Sequence, residues 1–270
     1  MNETADAVQA STGVPGKGPV ILPVTTGDIL EILAAGLRDF RAAAFYDLGV
    51  AGIYTVGGWI LILLLLRFDM PFLVYPLAAG FALIAPFIAA AFYALSRSIE
   101  RNEPLSWRLV ANSIRGTTRS DLGWMALVTG FSLFIWMDIA ALLFFFFLGL
   151  TSLSAQELLR EIFTTPMGLL FLVIGNGVGA VIALAVFSFS VTSFPMLFDR
   201  DVDFVTAMIT SVKVVLANKI AMIVWCATIA GLIGLSLLSG LVGLLVVLPI
   251  LGHASWHLYR RAISAEPDNG

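Results

Sequence analysis

The stretch that decides the fold is Gly123 to Leu148, GWMALVTGFSLFIWMDIAALLFFFFL, in which Asp138 is the sole charged residue. As an α-helix rising about 1.5 Å per residue it is long enough to cross the roughly 30 Å hydrocarbon layer of a bilayer. A membrane β-strand would need segments of about ten residues alternating apolar and polar side chains, and the run from Ala141 to Leu150, ALLFFFFLGL, does not alternate. The backbone must therefore satisfy its own hydrogen bonds within one segment, which in lipid means a helix.

The rest of the chain repeats this pattern. Of its 270 residues 59 % are hydrophobic and only 12 % charged, outside the usual composition of a soluble domain. The spacing predicts an all-α, polytopic transmembrane helix bundle with six spans: Leu48 to Leu66, Phe72 to Leu95, Gly123 to Leu148, Met167 to Phe189, Ile220 to Leu238 and Leu241 to Leu258. Residues 1–27 read as a disordered tail, 28–263 as one membrane domain and 264–270 as a second short tail. The tail fragment GVPGKG at Gly13 to Gly18 lacks the spacing and the hydroxyl residue of a phosphate loop. The sole cysteine, Cys226, excludes an internal disulfide.

Direction follows from the cations. Thirteen of the fifteen Lys and Arg residues fall in the N-terminal segment, the second and fourth loops and the C-terminal tail, and only Arg67 and Arg160 in the alternate loops. The positive-inside rule then puts both termini in the cytoplasm. Three cytoplasmic segments, 29–45, 104–119 and 204–217, place apolar residues near i, i+3, i+4 and i+7, the period of an amphipathic interfacial helix. In the second, Arg101, Arg108, Arg115 and Arg119 would share a face towards anionic headgroups if one helix carried all four.

Candidate chemistry is sparse. Asp138 is an acid well inside a span, and an intramembrane carboxylate suggests a function by default; it admits two readings, an ion or proton path that Asn176 in the next span would lie close enough in depth to join, or a marker of the outer interface with ALLFFFFLGL dipping along it. Gly175 and Gly179 form a GxxxG pair suited to helix packing, and Gly231, Gly234, Gly240 and Gly243 would let the last two spans pack closely. His253 and His257 stand at i and i+4 on one helical face. They admit two readings: with Cys226 they would ligate a metal, or one alone a haem; alternatively they belong, with Trp256, Tyr259, Arg260 and Arg261, to an aromatic and basic belt at a membrane interface. Asp199, Asp201 and Asp203 alternate as in calcium loops, but Asp203 also suits a helix N-cap. Thr25 and Asp28 have the spacing of a capping box. No nucleophile elbow appears.

Two long runs carry a likeness to known proteins: FPMLFDRDVDFVTAMITSVKVVLAN at Phe194 to Asn218 and LPILGHASWHLYRRAI at Leu248 to Ile263. With LSRSIERNEPLS and FTTPMGLLFLVIGNGVGAV they resemble a family of bacterial integral membrane proteins known as a domain of unknown function, over most of Asp28 to Ile263. The resemblance implies a bacterial inner membrane and brings no catalytic residues. Members of that family sometimes look like the large subunit of cytochrome c oxidase, but two histidines are far too few for its haems and copper.

The expectation is a non-enzymatic scaffold or accessory component whose partners are the lipid bilayer, its anionic headgroups and a membrane protein complex. Nucleic acid is not an expected partner, and no cofactor is required. One alternative is a small-solute, ion or proton transporter built on Asp138; another is a metal- or haem-binding accessory of a respiratory complex.

Overall fold

The computed structural model describes residues 19–68, 88–117, 121–149 and 155–264, and their regular elements are all helices. In chain order these are α1 (Thr26–Phe68), α2 (88–100), α3 (Trp107–Thr117), α4 (Asp121–Leu148), α5 (Ala155–Thr164), α6 (Pro166–Ser190), α7 (Ser193–Asp199), α8 (Phe204–Ala217), α9 (Lys219–Leu238) and α10 (Leu244–Ala262).

Among the described residues, four helical segments are long and apolar enough to cross a membrane: Thr26–Leu64, Asp121–Leu148, Pro166–Asp199 and Lys219–Leu238. The second expected span begins outside the described residues, and only its last part is seen, as the start of α2. The sixth differs in character. α10 is helical, but it carries two histidines and two arginines in its last ten residues, and most of it is buried against protein. Its polar side chains are met by other helices instead of lipid.

The segment 29–45 is not a separate surface helix. It is the first half of α1, whose 43 residues extend about 65 Å at roughly 1.5 Å each, twice the hydrocarbon thickness. Thr25 and Asp28 begin it with the expected capping box: the Thr25 amide donates to Asp28 Oδ2 at 2.6 Å and the Asp28 amide to Thr25 Oγ1 at 3.3 Å. Nothing breaks the helix before the apolar run. Its apolar residues Ile29, Ile32 and Ala43 are buried, so this face docks on protein.

α1 and α10 run antiparallel, as successive contacts show. Asp28 meets Arg261, Asp39 meets His257, Asp47 meets His253, and the Trp59 indole donates to the Gly240 carbonyl. Gly36 permits this closeness: a Cβ there would stand 2.7 Å from the Ile250 carbonyl oxygen and 2.9 Å from the Ala254 nitrogen. On another side of α10, Gly252 admits the ring of Phe92 from α2, beside the small buried residues Ala90, Ala91 and Ala94. Three helices thus meet at near-backbone distance, and polar side chains fill the space between them.

The same end of the bundle gathers the described ends of the chain. Residues 20–24, expected in a disordered tail, are pinned: Ile21 pairs with Ile263, the Leu22 amide donates to the Ala262 carbonyl, and the Val24 amide donates to Asn218 Oδ1. Residues 1–18 and 265–270, and with them most of both tails, lie outside the described residues.

α8 matches its expected bounds, starting at Asp203, which caps it through the Thr206 amide at 2.9 Å. Its small and polar face, Ala207, Thr210, Ser211 and Val214, is buried, while Val205, Ile209 and Leu216 face outward. α3 is shorter than 104–119. α2 ends at residue 100, a turn at 101–102 with Asn102 at φ +53° intervenes, and α3 starts at Trp107. Arg101 is therefore off the helix that bears Arg108 and Arg115, and Arg119 lies outside the described residues. α5, between α4 and α6, was not foreseen; Glu157, Arg160 and Glu161 make it polar within an otherwise apolar hairpin.

Candidate functional site: a buried histidine and aspartate chain

His253 and His257 project from α10 one turn apart, and each reaches a different aspartate of α1. His253 Nε2 lies 3.0 Å from Asp47 Oδ2, with both side chains fully buried. His257 Nε2 lies 2.7 Å from Asp39 Oδ2, where the side chains are 27 % and 10 % exposed. Ser96 of α2 joins the two pairs: its Oγ is 2.7 Å from Asp39 Oδ2 and 2.7 Å from His253 Nδ1. The result is a continuous series, His257, Asp39, Ser96, His253, Asp47, from the half-exposed rim to the interior. Phe92, tilted 5.7 Å from the His253 ring, seals one side.

The protons can be counted. As a carboxylate, Asp39 Oδ2 accepts from both His257 and Ser96, which uses the one hydroxyl proton of Ser96. Ser96 Oγ then accepts from His253 Nδ1–H, and His253 Nε2 and Asp47 Oδ2 share a single proton. Whether imidazolium with carboxylate or imidazole with carboxylic acid, the pair is net neutral, the condition under which ionisable groups tolerate full burial. Asp47 Oδ1 and, two turns further along α1, Thr55 Oγ1 are buried without a hydrogen-bond partner among the described residues.

A second polar layer closes the end of α10. Tyr259 donates to Asp199 Oδ2 at 2.8 Å and accepts from Arg200 Nε at 2.7 Å. Arg260 forks onto Glu100 Oε1, and the Trp256 indole donates to the other oxygen of Glu100 at 3.2 Å. Trp256 and Tyr259 are fully buried, so they do not form the belt that their spacing suggested. α10 is enclosed by protein here, and headgroups do not reach these rings.

The other expected candidates are dispersed. Cys226 is half-buried on α9, and no group of three His, Cys, Asp or Glu among the described residues is gathered to hold a metal. Asn176 lines a groove of about 490 Å3 between α4 and α6 together with Trp136, Ala140, Gly175 and Gly179, and its amide donates to the Leu172 carbonyl. Asp138 is not part of that lining. It is two residues beyond Trp136, about 200° round the helix from it. Gly179 admits the Trp136 ring, whereas Gly175, Gly231 and Gly234 meet nothing within 4 Å. Gly240 instead serves the turn before α10, at φ +67°. Asp199 and Asp203 are engaged separately, by Tyr259 and by the α8 cap, and do not converge as cation ligands.

Sequence reasoning missed Asp39, Asp47 and Ser96. The available signal was that both histidines share one helical face while acids sit beside the first apolar run; only the antiparallel pairing of α1 with α10 connects them.

Helices of this length and apolarity define an integral membrane protein. Residues 74–199 match the family model described as predicted integral membrane protein (DUF2189), a domain of unknown function. Of the five chain residues only Ser96 falls within that range. No curated protein and no solved structure matches the chain.

Proposed function

We propose that the protein is a multi-pass component of the bacterial inner membrane, with both termini cytoplasmic, that acts by contact as a scaffold or accessory of a membrane protein complex. The observation that carries this reading is the α4–α6 hairpin: in neither helix is any of the most apolar membrane-length stretch buried. Phe131, Phe145 and Phe146 of α4 and Val173 and Val181 of α6 face outward, leaving a long apolar surface for lipid and a partner helix. Six crossings, the number that the apolar runs of the sequence predict, keep both termini on one side. The cationic segments then meet the cytoplasmic headgroups, with Arg108 and Arg115 of α3 on one exposed face.

The test is affinity purification of the full chain from its native membrane in mild detergent, with and without prior cross-linking, and mass spectrometry of what accompanies it. A stoichiometric membrane partner is the expected result. A partner-free preparation after cross-linking would overturn the reading.

A further inference from the structure

We infer that His257, Asp39, Ser96, His253 and Asp47 form a proton-conducting chain that carries one proton from the rim of the bundle to Asp47. This goes beyond a contact role and does not depend on it.

The argument rests on the reversibility of the hydrogen bonds at fixed heavy-atom positions. In one arrangement a protonated Asp39 donates to Ser96 Oγ, the Ser96 hydroxyl donates to His253 Nδ1, and His253 Nε2–H donates to an ionised Asp47. Each proton then crosses its own hydrogen bond. Asp39 now accepts from Ser96, Ser96 accepts from His253 Nδ1–H, and His253 Nε2 accepts from a protonated Asp47. Three protons have each moved across one hydrogen bond, no atom is gained or lost, and a carboxylic acid proton has passed from Asp39 to Asp47. Both arrangements fit the distances of 2.7, 2.7 and 3.0 Å.

A merely structural clasp would not need this sequence of groups. Serine and imidazole each both donate and accept, so alternating them between two carboxylates leaves no link that blocks transfer. His257, with 27 % of its side chain exposed, supplies the rim: it takes up a proton from water at Nδ1, its Nε2 proton passes to Asp39 Oδ2 at 2.7 Å, the imidazole is left neutral, and the new carboxylic O–H turns to Ser96 Oγ. From Asp39 to Asp47 is about 12 Å along α1. The charges packed around the chain are already engaged, Glu100 by Arg260 and Asp28 by Arg261. At the inner end, Asp47 Oδ1 is buried and unpartnered among the described residues, leaving that oxygen open to an onward acceptor.

The chain has only two histidines, so the full-length protein labelled with 15N-histidine in lipid nanodiscs gives two imidazoles, which His257→Gln assigns. The quantity measured is the exchange rate of the His253 ring protons with water. The hypothesis predicts that His257→Gln, which keeps a donor to Asp39 but cannot relay, slows exchange at His253 by about a hundredfold, the effect of losing one positioned proton-transfer group. Ser96→Ala slows it by a similar factor while exchange at His257 persists. His257 is joined to His253 by way of Asp39 and Ser96, and glutamine keeps the donor to Asp39, so a loss of packing alone is not expected to slow exchange at His253. An unchanged His253 rate in either variant, with helix content and elution volume as in the parent, overturns the proposal; if Ser96→Ala does not fold, His257→Gln decides alone.

Discussion

His253 Nε2 stands 3.0 Å from Asp47 Oδ2 where neither side chain meets solvent. Such a pair is a poor source of net stability but costly to halve, because removing one member leaves the other buried and unpaired. His253→Ala is expected to lower stability by about 3–5 kcal/mol, measured by reversible unfolding in mixed micelles. Replacing both members with leucine removes the uncompensated group and is expected to recover most of that loss. If the double variant is as unstable as the single one, the cost lies in packing and not in charge.

The helical class and most span positions were legible because lipid leaves the backbone few choices. Runs such as Ile220 to Leu238 coincide with α9 almost to the residue. The polar site was not legible, and the reason is local. Asp47 directly precedes an apolar run and Asp39 lies near Arg38 and Arg41, where acids ordinarily face water. Their burial depends on α1 continuing unbroken through residue 45 and on Gly36 letting α10 approach. α10 was misread for the complementary reason: Trp256, Tyr259 and two arginines look like an interfacial belt until a second layer of protein is placed around them.

Gly36 should be a size-sensitive glycine of α1, because what it meets is backbone. A methyl group there meets backbone atoms of Ile250 and Ala254 within 3 Å, and neither helix can yield without shifting the histidines from their aspartates. Gly36→Ala is expected to destabilise by about 1–3 kcal/mol, the usual range for overpacking. Gly52, on the same helix, has nothing within 4 Å of the added methyl, and Gly52→Ala should be neutral or stabilise by up to about 1 kcal/mol from helix propensity. Thermal unfolding of the two variants side by side checks the contrast.

Asp203 gives a pH dependence with a definite sign. Hydrogen bonds from the side chain and then the amide of Thr206 hold its carboxyl below the ordinary aspartate range. Its capping contribution is therefore complete above that range and is lost as pH falls through the depressed value. The protection of the first-turn amides of α8, taken relative to their intrinsic exchange rate at each pH, should fall on acidification in the parent. Asp203→Asn still caps the helix, but without a titrating group, so its protection should lose that acid-side fall. An identical acid response in both would remove Asp203 as the cause.

The orientation is open to a direct check, because α4 separates two exposed arginines. Arg115 on α3 precedes this helix and Arg160 on α5 follows it, and 28 residues put about 42 Å between its ends, more than the hydrocarbon layer. With Cys226 replaced by serine, Arg115→Cys and Arg160→Cys each place a single thiol at one end. A membrane-impermeant maleimide on intact cells is expected to label Arg160→Cys and to reach Arg115→Cys only after permeabilisation. The reverse pattern would mean that the thirteen cations gathered away from Arg67 and Arg160 face outward, against the charge rule, and that the His257 rim opens to the outside.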